Sequence, residues 1–188
     1  MAELSPVRAS PLGILAATAR TCPTAELRPL EPEAKFIFRG RGEAVHAAGR
    51  AFDVTLPGAA CRAASSLNRA ALWLGPDEWL LIAPEKQQGE IEQAFAALQG
   101  MPHALVDVGH RNCGLEISGE QAAFVLASGC PLDLDPQSFP IGMCTRTVVG
   151  KAEIVLWRIA ADIFRIEAWR SFAPYVWRFL DEARTEFR

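Results

Sequence analysis

Short apolar runs separated by glycine, proline and acidic turns recur along the chain. "KFIFRG" (Lys35–Gly40), "AALWL" (Ala70–Leu74) and "WLLIA" (Trp79–Ala83) have strand length and favour β-branched, aromatic and leucine side chains. "ALVDVGH", "CGLEIS", "CTRTVVG", "AEIVLWRI" and "IFRIEAW" read the same way, and each predicts a strand. Longer periods predict helices. One covers Gly42–Phe52, and another covers Gln87–Gln99, with Ile91, Ala94, Phe95 and Leu98 on one face and Gly100 as its stop. A third is expected after Ser118, with Gln121 completing a capping box, and ends at Gly129. The last is expected to be capped by Ser171, tolerates Pro174 in its first turn, and shows the stripe Phe172, Tyr175, Val176, Phe179 and Ala183. Residues 1–33, rich in Pro and Ala, read as an extended arm.

The pattern repeats. "GEAVHAAGRAFDVTLP" is echoed by "GEQAAFVLASGCPLDLDP", and "LWLGPDEWLLIAPEKQ" by "LWRIAADIFRIEAWRS". Leu72-Trp73 matches Leu156-Trp157, and one extra turn residue in the second copy aligns Asp77 with Asp162. The expected fold class is α+β, with two related antiparallel sheet-and-helix halves, residues 34–102 and 103–188, packed as one domain.

Composition narrows the function classes. The 188 residues are half hydrophobic and 22% charged, enough for a real core. A net charge of −3 and a pI near 5.7 argue against a nucleic-acid surface. Five cysteines without C-x-x-C spacing and three dispersed histidines suggest neither a disulfide framework nor a metal site. The apolar stretch near the N-terminus is short and broken by Pro11 and Gly13, so neither a signal peptide nor a membrane span is expected. A cytoplasmic protein is the expectation.

Candidate chemistry is sparse. Asp77 and Glu78, between two tryptophans, read as the solvated tip of a hairpin rather than a catalytic dyad. Asp107, His110 and Arg111 lie close in sequence, but strand alternation sets Asp107 and His110 on opposite faces. The glycines of "FRGRGEAV" lack the residues of a phosphate loop, and Cys130 follows a helix-stop glycine without a neighbouring cation. Trp169 beside Arg170, and Trp177 lying off the expected stripe, are candidate partner-interface anchors.

"SPLGILAA", "LWLGPDEWLLIAP", "VDVGHR", "SGCPLDLDP…FPIGMCTRT" and "VLWR…FRIEAWRSFAPYVWRFL", spread in order over nearly the whole chain, resemble the gamma subunits of heterotetrameric sarcosine oxidases. That family is similar in turn to the folate-binding aminomethyltransferases (T-proteins) of the glycine cleavage system. "VDVGHRNCGLEISGEQAAFVLASGCPLDL" looks like the "DVSHMG" segment of those proteins, and "WLGPDEWLL" like their "G.DEFLLV" hairpin.

The resemblance implies an aminomethyltransferase-like folate-binding fold and a structural role beside alpha, beta and delta subunits. These oxidise sarcosine to glycine and pass its one-carbon unit to tetrahydrofolate. FAD, FMN, NAD, tetrahydrofolate and zinc are implied on those other subunits and none on this chain. The paired aspartates of the T-protein folate site are replaced here by Ala152 and Glu153, whose longer stem displaces the carboxylate. Glu153 is thus the single candidate for a folate contact. The alternative function is an independent folate-binding or folate-dependent one-carbon transferase.

Overall fold

In the computed structural model, which describes residues 10–187, the elements run in the order α1 (Gly13–Thr18), β1 (Glu26–Pro29), β2 (Glu33–Gly40), α2 (Glu43–Phe52), β3 (Ala63–Ser66), β4 (Arg69–Gly75), β5 (Glu78–Pro84), α3 (Gln88–Ala96), β6 (His103–Asp107), β7 (Asn112–Ser118), α4 (Ala122–Ala127), β8 (Cys144–Val149), β9 (Ala152–Ala160), β10 (Ile163–Trp169) and α5 (Ala173–Ala183). They form two antiparallel five-stranded sheets, ordered β3-β4-β5-β2-β6 and β8-β9-β10-β7-β1. The α+β class and the two related halves agree with the sequence pattern.

Strand alternation sorts the side chains into layers. On β2, Ala34, Phe36 and Phe38 turn outward and pack with Ala47, Ala48 and Phe52 of α2 and Ile91 and Phe95 of α3. Leu115, Ile117, Leu156, Phe164 and Ile166 line the outer face of the second sheet under Val125 and Leu126 of α4 and Val176 and Leu180 of α5. Between the sheets a third cluster joins Ala70, Leu72, Leu80 and Ile82 to Val108, Cys144 and Val155. The layers therefore run helix, sheet, sheet, helix. At one corner the sheets are stitched by an Arg62–Met143 bridge, with Ala63 and Cys144 amides donating to the Gly142 and Cys61 carbonyls.

The repeat holds in space, but its register is corrected. Strands β3, β4, β5, β2 and β6 correspond by sheet position to β8, β9, β10, β7 and β1. Both long hairpins carry a bulge just before the turn, and Asp77 and Asp162 occupy equivalent turn positions. Counting from the turns requires no extra residue, so Leu72 matches Trp157 rather than Leu156. Leu72 and Trp157 both face the inter-sheet layer, whereas Trp73 packs outward with Phe36 and Trp79. A one-residue slip would exchange these faces.

Several local expectations change. Residues 1–9 of the expected N-terminal arm lie outside the described residues. From residue 10 to 33 the arm is not simply extended, since it contains α1 and β1, and β1 pairs with β7 at the edge of the second sheet. Conversely, β6 pairs with β2 in the first sheet, so each sheet draws an edge strand from beyond the simple division of the chain. Ser118 is the last residue of β7 and caps nothing, and α4 begins after Gln121 without a side-chain cap. Likewise Phe172, not Ser171, is the N-cap of α5, again without a side-chain hydrogen bond.

The buried stripe of α5 is Ala173, Val176, Trp177 and Leu180, while Phe172 and Tyr175 are exposed. Trp177 is thus corrected from interface anchor to core residue, at 1% exposure. Its truncation is expected to cost about 3–5 kcal/mol of folding stability. Urea denaturation of Trp177→Ala checks this, and an unchanged midpoint would return the side chain to the surface.

Candidate functional site

The inward-facing positions of the two sheets are largely apolar but carry charges at both ends of β2 and along β10. In β2 the inward residues include Glu33, Lys35 and Arg39, and in β10 they are Arg165, Glu167 and Trp169, all set in otherwise apolar strands. Lys35 Nζ donates to Glu167 Oε2 at 2.8 Å, with both side chains nearly inaccessible. Arg165 donates to Glu167 Oε1 through Nε (2.9 Å) and Nη2 (2.6 Å), and its Nη1 donates to Glu33 Oε1 at 3.0 Å. A second contact joins Arg165 Nη2 to Glu33 Oε2, and Glu33 also lies 3.6 Å from the Lys35 ammonium. Two cations and two carboxylates thus form a cluster with one of each from either sheet. Gly114, opposite Glu167 on β7, makes room: a Cβ there would sit 3.1 Å from Glu167 Oε1.

Burial alone would push the Glu167 carboxyl up, but Lys35 and Arg165 outweigh it and hold the group below the usual glutamate range. Beside this cluster the sheets part into a cleft of about 660 Å³. Ile37, Leu80, Val106, Val108 and Val155 supply apolar wall, and Arg39, Glu78, Arg111, Arg146 and Glu153 supply charge. Edge strands β6 and β8 both contribute to its lining.

Glu78 is the main correction to the sequence reading. Asp77 does sit in the turn, where its carboxylate accepts from Arg41 at 2.7 and 3.0 Å. Glu78 starts β5, is buried, and turns into the cleft. It accepts from Arg39 Nη2 at 2.6 Å and from Arg146 of the other sheet, whose Nη1 also donates to the Leu74 carbonyl at 2.9 Å. Burial raises its pKa, but the two arginines outweigh that and leave it lowered.

The remaining candidates divide between cleft and elsewhere. Glu153 lines the cleft from β9. Trp169 stands at the rim with Arg111 5.7 Å from its ring centre, and Arg111 Nε donates to Asn112 Oδ1 at 3.2 Å. The Arg170 amide donates to the Arg111 carbonyl at 2.6 Å, placing that exposed residue just behind the same rim. Trp177 lies in the core under the second sheet, away from it. Asp107 accepts from the Gly109 amide (2.7 Å) and from Gln88 (3.1 Å), so it forms no relay with His110. Burial pushes the Cys144 thiol up to about 12, leaving it protonated and unsuited to nucleophilic attack. Among the described residues no group of three His, Cys, Asp or Glu is placed to hold a metal ion. No helix among them is long and apolar enough to cross a membrane.

Sequence and structure comparisons converge. Residues 41–186 match the sarcosine oxidase, gamma subunit family. The sarcosine oxidase gamma subunit of an Arthrobacter species is 35% identical over 125 residues, covering 66% of this chain and 61% of that protein. This match therefore spans about three fifths of its relative's length. The gamma subunit of Corynebacterium sp. strain U-96 is 34% identical over 148 residues, covering 78% of this chain and 72% of its own. Among solved structures, a chain of the heterotetrameric sarcosine oxidase from Corynebacterium sp. U-96, in complex with pyrrole 2-carboxylate, superposes with a TM-score of 0.88 at 30% identity over 96% of both chains. The glycine cleavage system aminomethyltransferase T of Bartonella henselae shares the fold, with a TM-score of 0.62 at 18% identity over 90% of this chain and 49% of that one.

Replacing Glu167 by Gln leaves the buried Lys35 and Arg165 with Glu33 as the one carboxylate between them, and is expected to cost about 3–5 kcal/mol at neutral pH. The folded-state pKa of Glu167 lies below its unfolded value of about 4.3. Its stabilisation is therefore complete above that pH and is lost as the pH falls through the folded value. Denaturation of the wild type and Glu167→Gln at several pH values should show a gap that narrows below about pH 4.3. A pH-independent gap would contradict this assignment.

Proposed function

The chain belongs to the sarcosine oxidase gamma subunit family, and on that premise we propose that it is a non-catalytic assembly subunit of a sarcosine oxidase complex. The complex oxidatively demethylates sarcosine to glycine and transfers the one-carbon unit to tetrahydrofolate. Its alpha, beta and delta subunits hold FAD, FMN, NAD, tetrahydrofolate and zinc, and this chain supports their arrangement through its surface.

The observation that carries a supporting rather than a chemical role is the state of the charged groups between the sheets. Glu78 and Glu167 are each held ionised by two cations that bridge the sheets, which is the arrangement of structural ion pairs. A general acid or base would instead have a pKa near the working pH. Glu153, which the resemblance would set against the paired aspartates of the T-proteins, is preceded by Ala152 rather than a second carboxylate.

Co-expression of a tagged copy with alpha, beta and delta subunits is expected to yield a co-purifying heterotetramer. Migration of this chain as a lone monomer in that experiment would overturn the assembly role. Calorimetric titration of the purified chain with tetrahydrofolate is expected to give no saturable heat. Micromolar binding lost in Glu153→Ala would overturn the non-catalytic reading in favour of a folate-binding protein or folate-dependent one-carbon transferase.

A further inference from the structure

The cleft is open, and its rim combines features that an isolated soluble surface seldom brings together. Arg39 and Arg146 are more than half exposed, Val106 is 54% exposed and Trp169 is 45% exposed. Behind them the wall is apolar and built by both sheets. Tryptophan and arginine around an apolar depression are the residue types that dominate binding energy at protein interfaces. Two further observations define what fits.

The first is charge. Glu167 is compensated from inside the protein by Lys35 and Arg165. The other charged groups lining the cleft are Arg39, Arg111 and Arg146 against Glu78 and Glu153, which leaves one cation in excess. That local excess sits on a chain whose net charge is −3, so it marks this face for an anionic group.

The second is backbone. The cleft is bordered by β6 and β8, the edge strands of their respective sheets. From His103 to Asp107, β6 has no proline or lysine to discourage pairing, and Ala104 and Val106 are exposed. An extended segment can hydrogen-bond along such an edge while placing alternate side chains into the cleft.

From these we infer that the cleft between the sheets is the docking site for an extended segment of a partner subunit, one that sets an apolar side chain into the cleft and a carboxylate against the arginine rim. This rests on the assembly role proposed above and locates it on one face. Trp169 and Val106 take the apolar anchor, and Arg111, held beside Trp169, faces the carboxylate.

The test uses the co-expressed complex and the full-length chain. Trp169→Ala, Arg111→Glu and Val106→Lys are compared with Phe124→Ser, a control at an exposed aromatic on α4 outside the cleft lining. Affinity for the remaining subunits is read by surface interferometry, and folding by thermal melting of each free chain. Each cleft variant is expected to weaken association by about tenfold or more with little change in melting temperature, while the control binds like the wild type. Raising the salt from about 50 to about 500 mM is expected to weaken the wild type more than Arg111→Glu.

Wild-type affinity in all three folded cleft variants, with the wild-type complex intact, would overturn the docking site and leave the assembly role standing. Loss of binding in the control to the same degree would likewise overturn it. Absence of a wild-type complex would overturn both.

Discussion

The alignment of the two sheets depends on two cations and two carboxylates set between them, with Lys35, Arg165 and Glu167 buried and Glu33 partly so. Lys35 and Glu33 come from β2, and Glu167 and Arg165 from β10, and every strong contact of Lys35 and Glu33 crosses the interface. Such a cluster is weak evidence for extra stability, since apolar residues of similar volume can replace buried ion pairs without loss. Its effect is on geometry. An apolar layer alone, such as the one around Leu72, Leu80 and Val155, tolerates sliding by small repacking. A slide that separated Lys35 from Glu167 would also part Arg165 from Glu33, leaving each cation only the carboxylate of its own strand. Losing both cross-sheet pairings between groups with so little access to water costs several kcal/mol. Packing of the apolar layer supplies attraction, and the ionic cluster selects the alignment.

That selection explains how one topology used twice yields a single body. Both halves run strand, helix, three-stranded meander, helix, and both sheets have the same strand order. Each outer face is closed by its own helices, so each half buries one side of its sheet unaided. The inner faces cannot be buried without the other half. The exchange of edge strands reinforces this: β1 closes the second sheet from the start of the chain, and β6 closes the first after α3. Neither sheet is completed by a single contiguous segment.

Much of this was legible in the residues. Eight strands stood out because their apolar runs are bounded by glycine, proline or acidic turns, and the hairpin repeat was visible in the two "LW" segments. Two strands were missed: β1, because "ELRP" ends in proline, which only an edge position tolerates, and β3, because "AASS" is small and polar with no apolar alternation. The α5 face was misread because Phe172, Tyr175, Val176 and Phe179 and the competing set Ala173, Val176, Trp177 and Leu180 both have helical spacing. Contact with the second sheet decides between them, and only the fold shows it. Ser118 failed as a cap because β7 continues through it, with Gly119 turning the chain at a positive φ. The ionic cluster was invisible as a pair because its partners lie 132 residues apart. Its trace was nevertheless present: Glu33, Lys35 and Arg39 in "EAKFIFR", and Arg165 and Glu167 in "FRIEAW", share one face of their strands, which is costly unless that face meets its complement.

The opening turn of β5 shows how the same alternation separates structure from recognition. Asp77 and Glu78 are neighbours, yet one points to solvent and the other into the cleft, because a strand begins between them. Glu78 then does at the open end what Glu167 does at the buried end, joining a cation of the first sheet to one of the second. The difference is solvent. Lys35 and Arg165 have no water to fall back on, so their pairing with Glu167 is fixed. Arg39 and Arg146 are more than half exposed, and exposed ion pairs contribute little and exchange readily with other anions. An incoming carboxylate can therefore share these arginines without disturbing the alignment of the sheets, which is held deeper in. The chain is rigid where its halves must register and adaptable where the cleft opens.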